Sequence, residues 1–145
     1  MGRVLFRYSL EEWEEGFNYN LSSLDIEELR YHYFFGDVLI HDYETGATFF
    51  SDARVFDFIL QIENALDLMI QEKPVDTIYE MEQLYEIDLE KEDKYLIVED
   101  IFQRRRFRFD SFVKEFYAFK KAFLSRVSVL YPSLNKNLAF QDYFK

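Results

Sequence analysis

The sequence predicts an α+β domain in which an antiparallel sheet of about five to six strands carries two long helices on one face. Two long segments place apolar residues at three- and four-residue steps, which is typical of amphipathic helices. Between them, residues 79–90 and 104–109 alternate apolar and charged side chains, which is typical of strands with one buried face. The 145 residues favour one domain, 1–145, without an internal linker.

The first elements are short. Residues Val4–Tyr8 are rich in β-prone side chains and predict a strand. Ser22 or Ser23 is a candidate N-cap for a helical turn over Leu24–Leu29, because a serine hydroxyl accepts hydrogen bonds from the first free amides of a helix.

A hairpin is expected next. Aromatic and β-branched residues from 31 to 40 predict a strand, with a bulge or tight turn at Gly36-Asp37. The residues at 44–46, Glu-Thr-Gly, are typical of a turn. A short strand over 47–50 then pairs back.

The first long helix is predicted to start after an N-cap at Ser51 or Asp52 and to end before Pro74. Its apolar face is formed by residues three and four apart: Val55, Phe56, Ile59, Ile62, Leu66, Met69 and Ile70.

Residues 79–90 give the clearest alternation in the chain and predict one strand with an acidic, solvated face. Only Gln83 and Leu84 break the pattern. A hairpin loop at 90–93 and a return strand at 94–98 follow. The acidic face comprises Glu80, Glu82, Glu86, Asp88 and Glu90.

A third strand of this meander has a basic face. Arg104, Arg106 and Arg108 alternate with Phe107 and Phe109, so the rings are expected in the core. The main expectation is that these arginines form cross-strand ion pairs with the acidic face. The alternatives are that both faces bind a partner or that the arginines bind single-stranded nucleic acid, whose phosphates and bases suit charge interleaved with rings. The candidate partner-binding residues are Glu80, Glu82, Glu86, Asp88, Glu90, Arg104, Arg106 and Arg108.

The second long helix is expected to begin at an N-cap on Asp110 or Ser111 and to end at Pro132. Residues 134–145 contain enough apolar side chains to dock as a short final helix. The helix's apolar stripe is Phe112, Phe116, Phe119, Phe123, Val127 and Leu130.

No catalytic motif is found. The chain has no cysteine, no phosphate-binding glycine loop and only two histidines, His32 and His41, nine residues apart. We expect no enzyme activity, cofactor or metal. No signal peptide or membrane-spanning segment is recognised either, so a cytoplasmic location is expected.

Charge points to the kind of partner. The net charge is -11 and 20% of the residues are aromatic, yet residues 102–126 contain eight basic and only two acidic residues. Such a surface repels nucleic acid and attracts a basic protein. The acidic residues around Trp13 are a further candidate surface. A homo-oligomeric subunit with aromatic side chains at its interface, or an enzyme of unrecognised type using His32 or a buried carboxylate, are the alternatives.

Four segments, taken in order, resemble bacterial immunity proteins encoded beside polymorphic toxins. They are the strand at 36–40, the helix at 56–60, the strand at 107–109 and the helix stop at 131–134, and they are spread over about two-thirds of the chain. The resemblance implies a basic toxin as the partner, whose active site acidic residues would cover.

Overall fold

The structure, a computed structural model, describes residues 3–10, 20–75, 78–80 and 85–144, with the backbone alone at 78–80, 85 and 143–144. Its first half forms an antiparallel sheet in the order β1 (Val4–Leu10), β2 (Phe35–Asp42) and β3 (Thr48–Arg54). A short helix, α1 (Ile26–Tyr31), joins β1 to β2, and the long helix α2 (Val55–Ile70) follows β3 directly.

The second half forms another antiparallel sheet. Its strands are β5 (Tyr85–Glu92), β6 (Tyr95–Glu99) and β7 (Arg104–Arg108), and the three-residue β4 (Ile78–Glu80) pairs with the first residues of β5. The long helix α3 (Phe109–Leu130), a 3₁₀ helix (Pro132–Lys136) and the short α4 (Leu138–Phe144) complete the described chain.

The α+β class is therefore confirmed, but the single sheet of five to six strands is wrong. The edges of β3 and β7 lie beside each other, and side chains rather than a backbone ladder join them. The Gln103 side chain accepts from the Phe50 amide and donates to the Phe50 carbonyl, at 3.3 and 2.9 Å. The Arg105 Nε donates to the Thr48 carbonyl at 2.8 Å. Because these side chains occupy the bonding groups of the β3 edge, the ladder stops there; we call this junction the seam.

One continuous core joins both sheets. Helix α2 contacts β2, β3 and β4, while α3 contacts β1, β6 and β7. The two helices also meet through Phe56 and Phe123, whose ring centroids are 6.4 Å apart, and through an ion pair between Glu63 and Lys120. The predicted docking of the tail is confirmed, since Phe140 is buried and lies 6.2 Å from Phe56.

The cap predicted for α1 is wrong, and a stronger one replaces it. Asp25, not Ser22 or Ser23, is the N-cap: its carboxylate accepts from the Glu28 amide, and the Glu28 side chain accepts from the Asp25 amide. This reciprocal capping box satisfies two of the amides that a helix start leaves free.

Both long helices begin without a side-chain cap. Ser51 and Asp52 lie within β3, and Asp110 and Ser111 lie within α3, so these four predicted caps are wrong. Each helix instead follows its strand without a break, at the N-caps Arg54 and Arg108.

Backbone carbonyls from neighbouring segments take over the capping role. The Val55 amide donates to the Phe34 carbonyl at 2.9 Å, and the Phe109 amide donates to the Lys94 carbonyl at 3.0 Å. A long-range contact therefore satisfies one of the amides that each helix start leaves free.

The expected strand at 31–40 is shifted to Phe35–Asp42, because α1 runs on to Tyr31. Gly36 does not form a bulge, since the register with β1 and β3 passes through it without a slip. It is required for close approach: a Cβ on Gly36 would lie 1.8 Å from the Ser9 carbonyl oxygen.

The single strand predicted at 79–90 is also wrong. It is two antiparallel strands, β4 and β5, in which Tyr79 lies opposite Glu86. The break in alternation at Gln83 and Leu84, which fall outside the described residues, coincides with this change. The next turn lies at 93–94 rather than 90–93, with Asp93 at a φ of 57°.

Candidate protein-binding surface

The solvent face of the second sheet carries the predicted site residues. In register across β5, β6 and β7, Asp88 lies opposite Glu99 and Glu99 opposite Arg104. Residues opposite each other in antiparallel strands share a face, so every second residue of β5 and of β7 lies on this one. The acidic and basic strands are separated by β6, which places them about 10 Å apart.

We call the exposed even-numbered residues of β5 the acidic row: Glu86, Asp88, Glu90 and Glu92. Three of them were in the predicted site, and Glu92 adds to it because β5 runs two residues further than expected. Of the other predicted acids, Glu80 is in β4, where only the backbone is described, and Glu82 lies outside the described residues.

The arginines of β7 are held mainly by groups outside the predicted acidic face. The Arg104 guanidinium lies 3.8 Å from Glu99 and 3.9 Å from Glu92. Arg106 stacks over the Tyr95 ring at 4.4 Å. Among the described residues, Glu86 and Glu90 form no ion pair with these arginines, and Arg104 pairs with Glu99 and Glu92 instead.

Arg108 turns to the other sheet. Its guanidinium pairs with Glu44 at 3.2 Å, on the turn between β2 and β3. Among the described residues, no cation lies within 4.0 Å of the Glu86 or Glu90 carboxylate. These two carboxylates of the acidic row are exposed to solvent and have no ion-pair partner in the described part of the chain.

A buried carboxylate fixes the seam next to this face. Asp42 at the end of β2 is fully buried and accepts from the Glu44 and Thr45 amides through one oxygen, at 2.7 and 3.1 Å. Its other oxygen accepts from the Arg108 amide at 2.7 Å. Three backbone donors thus compensate the burial of this carboxylate, and the bond from Arg108 joins the two sheets.

Sequence reasoning missed an apolar group at the far end of the seam. Phe50, Ile101 and Phe102 are 49%, 75% and 72% exposed. Ile101 and Phe102 lie in the loop between β6 and β7, and Phe50 lies on β3, tied to that loop through Gln103. The adjacent apolar pair at 101–102 between charged residues was the available signal in the sequence.

The structure gives the position and the hydrogen-bond partners of the candidate catalytic histidines and of a buried carboxylate. His32 is the exposed C-cap of α1, not a strand residue, and His41 Nδ1 lies 2.7 Å from the Thr48 hydroxyl oxygen. The buried carboxylate of Asp57 accepts from Arg30 and Gln61, at 2.6 and 2.7 Å. Within the described ranges, no group of three or more metal-ligating side chains is found.

An open groove of about 810 Å³ lies between the start of β1, the β2–β3 turn and the first turns of α3. Charged side chains of both signs line it, among them Arg3, Asp110, Lys114 and Glu115. Tyr8, Tyr117 and Tyr131, whose pKa values are raised, are not among the residues that line this groove.

Among the described residues, three tyrosine hydroxyls have a raised pKa. Burial raises the pKa of Tyr117 to about 12, and the neighbouring Asp67 carboxylate, which accepts a hydrogen bond from the hydroxyl at 3.1 Å, adds to the shift. Burial also raises the pKa of Tyr131 and of Tyr8, where the positive charge of Arg126 opposes it. All three remain neutral phenols near pH 7.

Compared with known proteins, the chain matches no family model, no curated sequence and no solved structure. Within the described residues, no helix is long and apolar enough to cross a membrane.

Proposed function

We propose that this chain is a non-enzymatic, cytoplasmic protein-binding domain that covers a basic surface of its partner, as an immunity protein covers the active site of a toxin. The observation that carries the proposal is the acidic row, in which Glu86 and Glu90 have no ion-pair partner among the described residues, while the arginines of β7 contact other groups. A surplus of one sign on a flat strand face favours a partner of the opposite sign.

The spacing of the row supports a protein partner. Residues four apart on a strand are about 13 Å apart, so Glu86 and Glu90 present two carboxylates at that separation. That separation fits two basic side chains on a folded surface. Exposed charges of this kind accelerate encounter more than they add affinity, since each exposed ion pair contributes about 0.2–1 kcal/mol. Occlusion would then be steric, with charge setting the orientation.

The test is complex formation with the protein encoded by the neighbouring gene. We expect co-elution of the two proteins at low and moderate salt, and weaker binding by the double variant Glu86→Gln/Glu90→Gln. The matched control, Glu27→Gln/Asp142→Asn, removes the same charge from exposed positions on α1 and α4 and should bind like the unaltered chain. Absence of a complex at both salt concentrations would refute the toxin-neutralising role.

A further inference from the structure

The loop between β6 and β7 presents two large apolar side chains on a rigid support. The Asp100 carboxylate accepts from the Phe102 and Gln103 amides, at 2.8 and 2.9 Å, and the Asp100 amide donates to the Gln103 carbonyl at 2.8 Å. Ile101 and Phe102 are nevertheless about three-quarters exposed. A loop held in one conformation loses little entropy when its side chains are bound.

The same loop is tied to the other sheet. The Gln103 amide bonds both backbone groups of Phe50, and a second bond from its nitrogen reaches Asp100 at 3.0 Å. Phe50 is half exposed on β3. We call Phe50, Ile101 and Phe102 the apolar tip, a group of exposed side chains whose backbones are joined by one hydrogen-bond network through Asp100 and Gln103.

The apolar tip adjoins the acidic row. Asp88 lies opposite Glu99, the last residue of β6, so Glu86 lies beyond the last paired residues, at the end of β5 nearer the loop between β6 and β7. Asp52 stands two residues from Phe50 on the same exposed face of β3. The acidic Asp100 and Asp52 thus stand one and two residues from the tip, and the basic Arg104 and Arg105 follow it along the chain.

We infer that the apolar tip is the anchor by which this domain holds its partner, a basic protein with an apolar pocket bordered by lysine or arginine. The inference rests on the proposed function and adds the residues that set the lifetime of the complex. Aromatic and aliphatic side chains that enter a pocket dominate binding energy, whereas rim charges set the encounter rate. A second copy of this chain is disfavoured as the occupant, because it would bring a net charge of -11 and the same flanking acids to the contact.

Two synthetic peptides of equal positive charge test the inference: one of lysine alone and one in which lysine alternates with tryptophan. The lysine–tryptophan peptide should bind at least about tenfold more tightly by calorimetry. The double variant Ile101→Ser/Phe102→Ser should remove that advantage and leave oligolysine binding unchanged. The matched control Val129→Ser/Leu138→Ser alters two equally exposed apolar residues elsewhere and should retain it.

Equal affinity for the two peptides, or equal effects of the tip and control variants, would overturn the anchor. Concentration-dependent dimerisation in sedimentation that the tip variant abolishes would also overturn it, because the occupant would then be a second copy. The Glu86→Gln/Glu90→Gln variant separates the two proposals. If it binds both peptides as tightly as the unaltered chain does, the proposal for the acidic row is refuted. If a variant loses only the preference for the lysine–tryptophan peptide, the change affects the apolar tip alone. Unchanged urea midpoints show that the tip variants remain folded.

Discussion

Gly36→Ala should disrupt the first sheet more than its single added methyl group suggests. Gly36 lies opposite Leu10, and a Cβ at this position would meet the Ser9 carbonyl oxygen at 1.8 Å and its carbon at 2.8 Å. Ordinary carbon–oxygen contacts are about 3.3–3.6 Å, so β1 would have to move by about 1.5 Å. Both obstructing atoms belong to the backbone, so no side-chain rotation relieves the contact.

Such a displacement carries the adjacent ladder bonds beyond hydrogen-bonding distance. Losing two of them costs about 1–3 kcal/mol, and the remaining strain adds about 1–3 kcal/mol, so we expect destabilisation of about 3 kcal/mol or more. The control is Gly46→Ala, where a Cβ meets nothing within 4 Å and only the φ of +77° is unfavourable; it should cost about 1–2 kcal/mol.

Urea unfolding followed by circular dichroism measures both variants, and equal slopes against urea make the midpoints comparable. A Gly36→Ala protein that unfolds within 1 kcal/mol of the unaltered chain, or at a higher urea concentration than Gly46→Ala, would refute the close approach of β1 and β2.

Three further substitutions test local arguments. Asp42→Asn replaces one acceptor oxygen by an amide nitrogen, so at least one of three backbone donors loses its acceptor. The free energy of unfolding should fall by about 1–3 kcal/mol. An effect no larger than that of Asp52→Asn, on the exposed face of β3, would contradict this. Glu72→Gly should raise stability by roughly 0.5–1 kcal/mol in urea unfolding, since residue 72 has a φ of 58° after α2 and glycine adopts that conformation without strain; lower stability would argue against the turn. The folded state favours the neutral phenol of Tyr117, so the stability of the protein relative to Tyr117→Phe should fall as the pH rises from 10.0 towards 12. A tyrosinate absorbance titration in which Tyr117→Phe still shows every high-pH transition of the unaltered chain would contradict the raised pKa.

Local patterns in the sequence predicted the elements but not their junctions. Periodicity identified α2, α3 and β7 because their burial repeats along the chain. The caps at Ser51 and Asp110 were wrong because β3 runs on to Arg54 and α3 already begins at Phe109. The first helical amides, those of Val55 and Phe109, bond the carbonyls of Phe34 and Lys94, which are distant in sequence. A propensity for capping does not report such long-range bonds.

The division into two sheets could not be predicted from the sequence either. It depends on Gln103 and Arg105 bonding the edge of β3 through their side chains, which alternation along one strand does not reveal. The alternation did place the acidic and basic residues on one face, as the register of β5, β6 and β7 has them. It did not predict that Arg104 would reach Glu99 and Glu92, because partner choice among long side chains depends on the twist of the sheet.

The apolar tip lay outside the reach of periodicity. Ile101 and Phe102 are apolar residues that would ordinarily be assigned to the core, and the hydrogen bonds of Asp100 and Gln103 shape the loop that exposes them. Their exposure follows from the loop conformation.

The most direct test of the account is the rate at which this domain associates with the neighbouring gene's product, measured by stopped-flow at two salt concentrations. The account predicts rapid association that slows as salt increases, with a smaller salt effect for Glu86→Gln/Glu90→Gln and a faster dissociation, at an unchanged association rate, for Ile101→Ser/Phe102→Ser. A complex whose association rate ignores both salt and the two glutamates would contradict the central role of the acidic row.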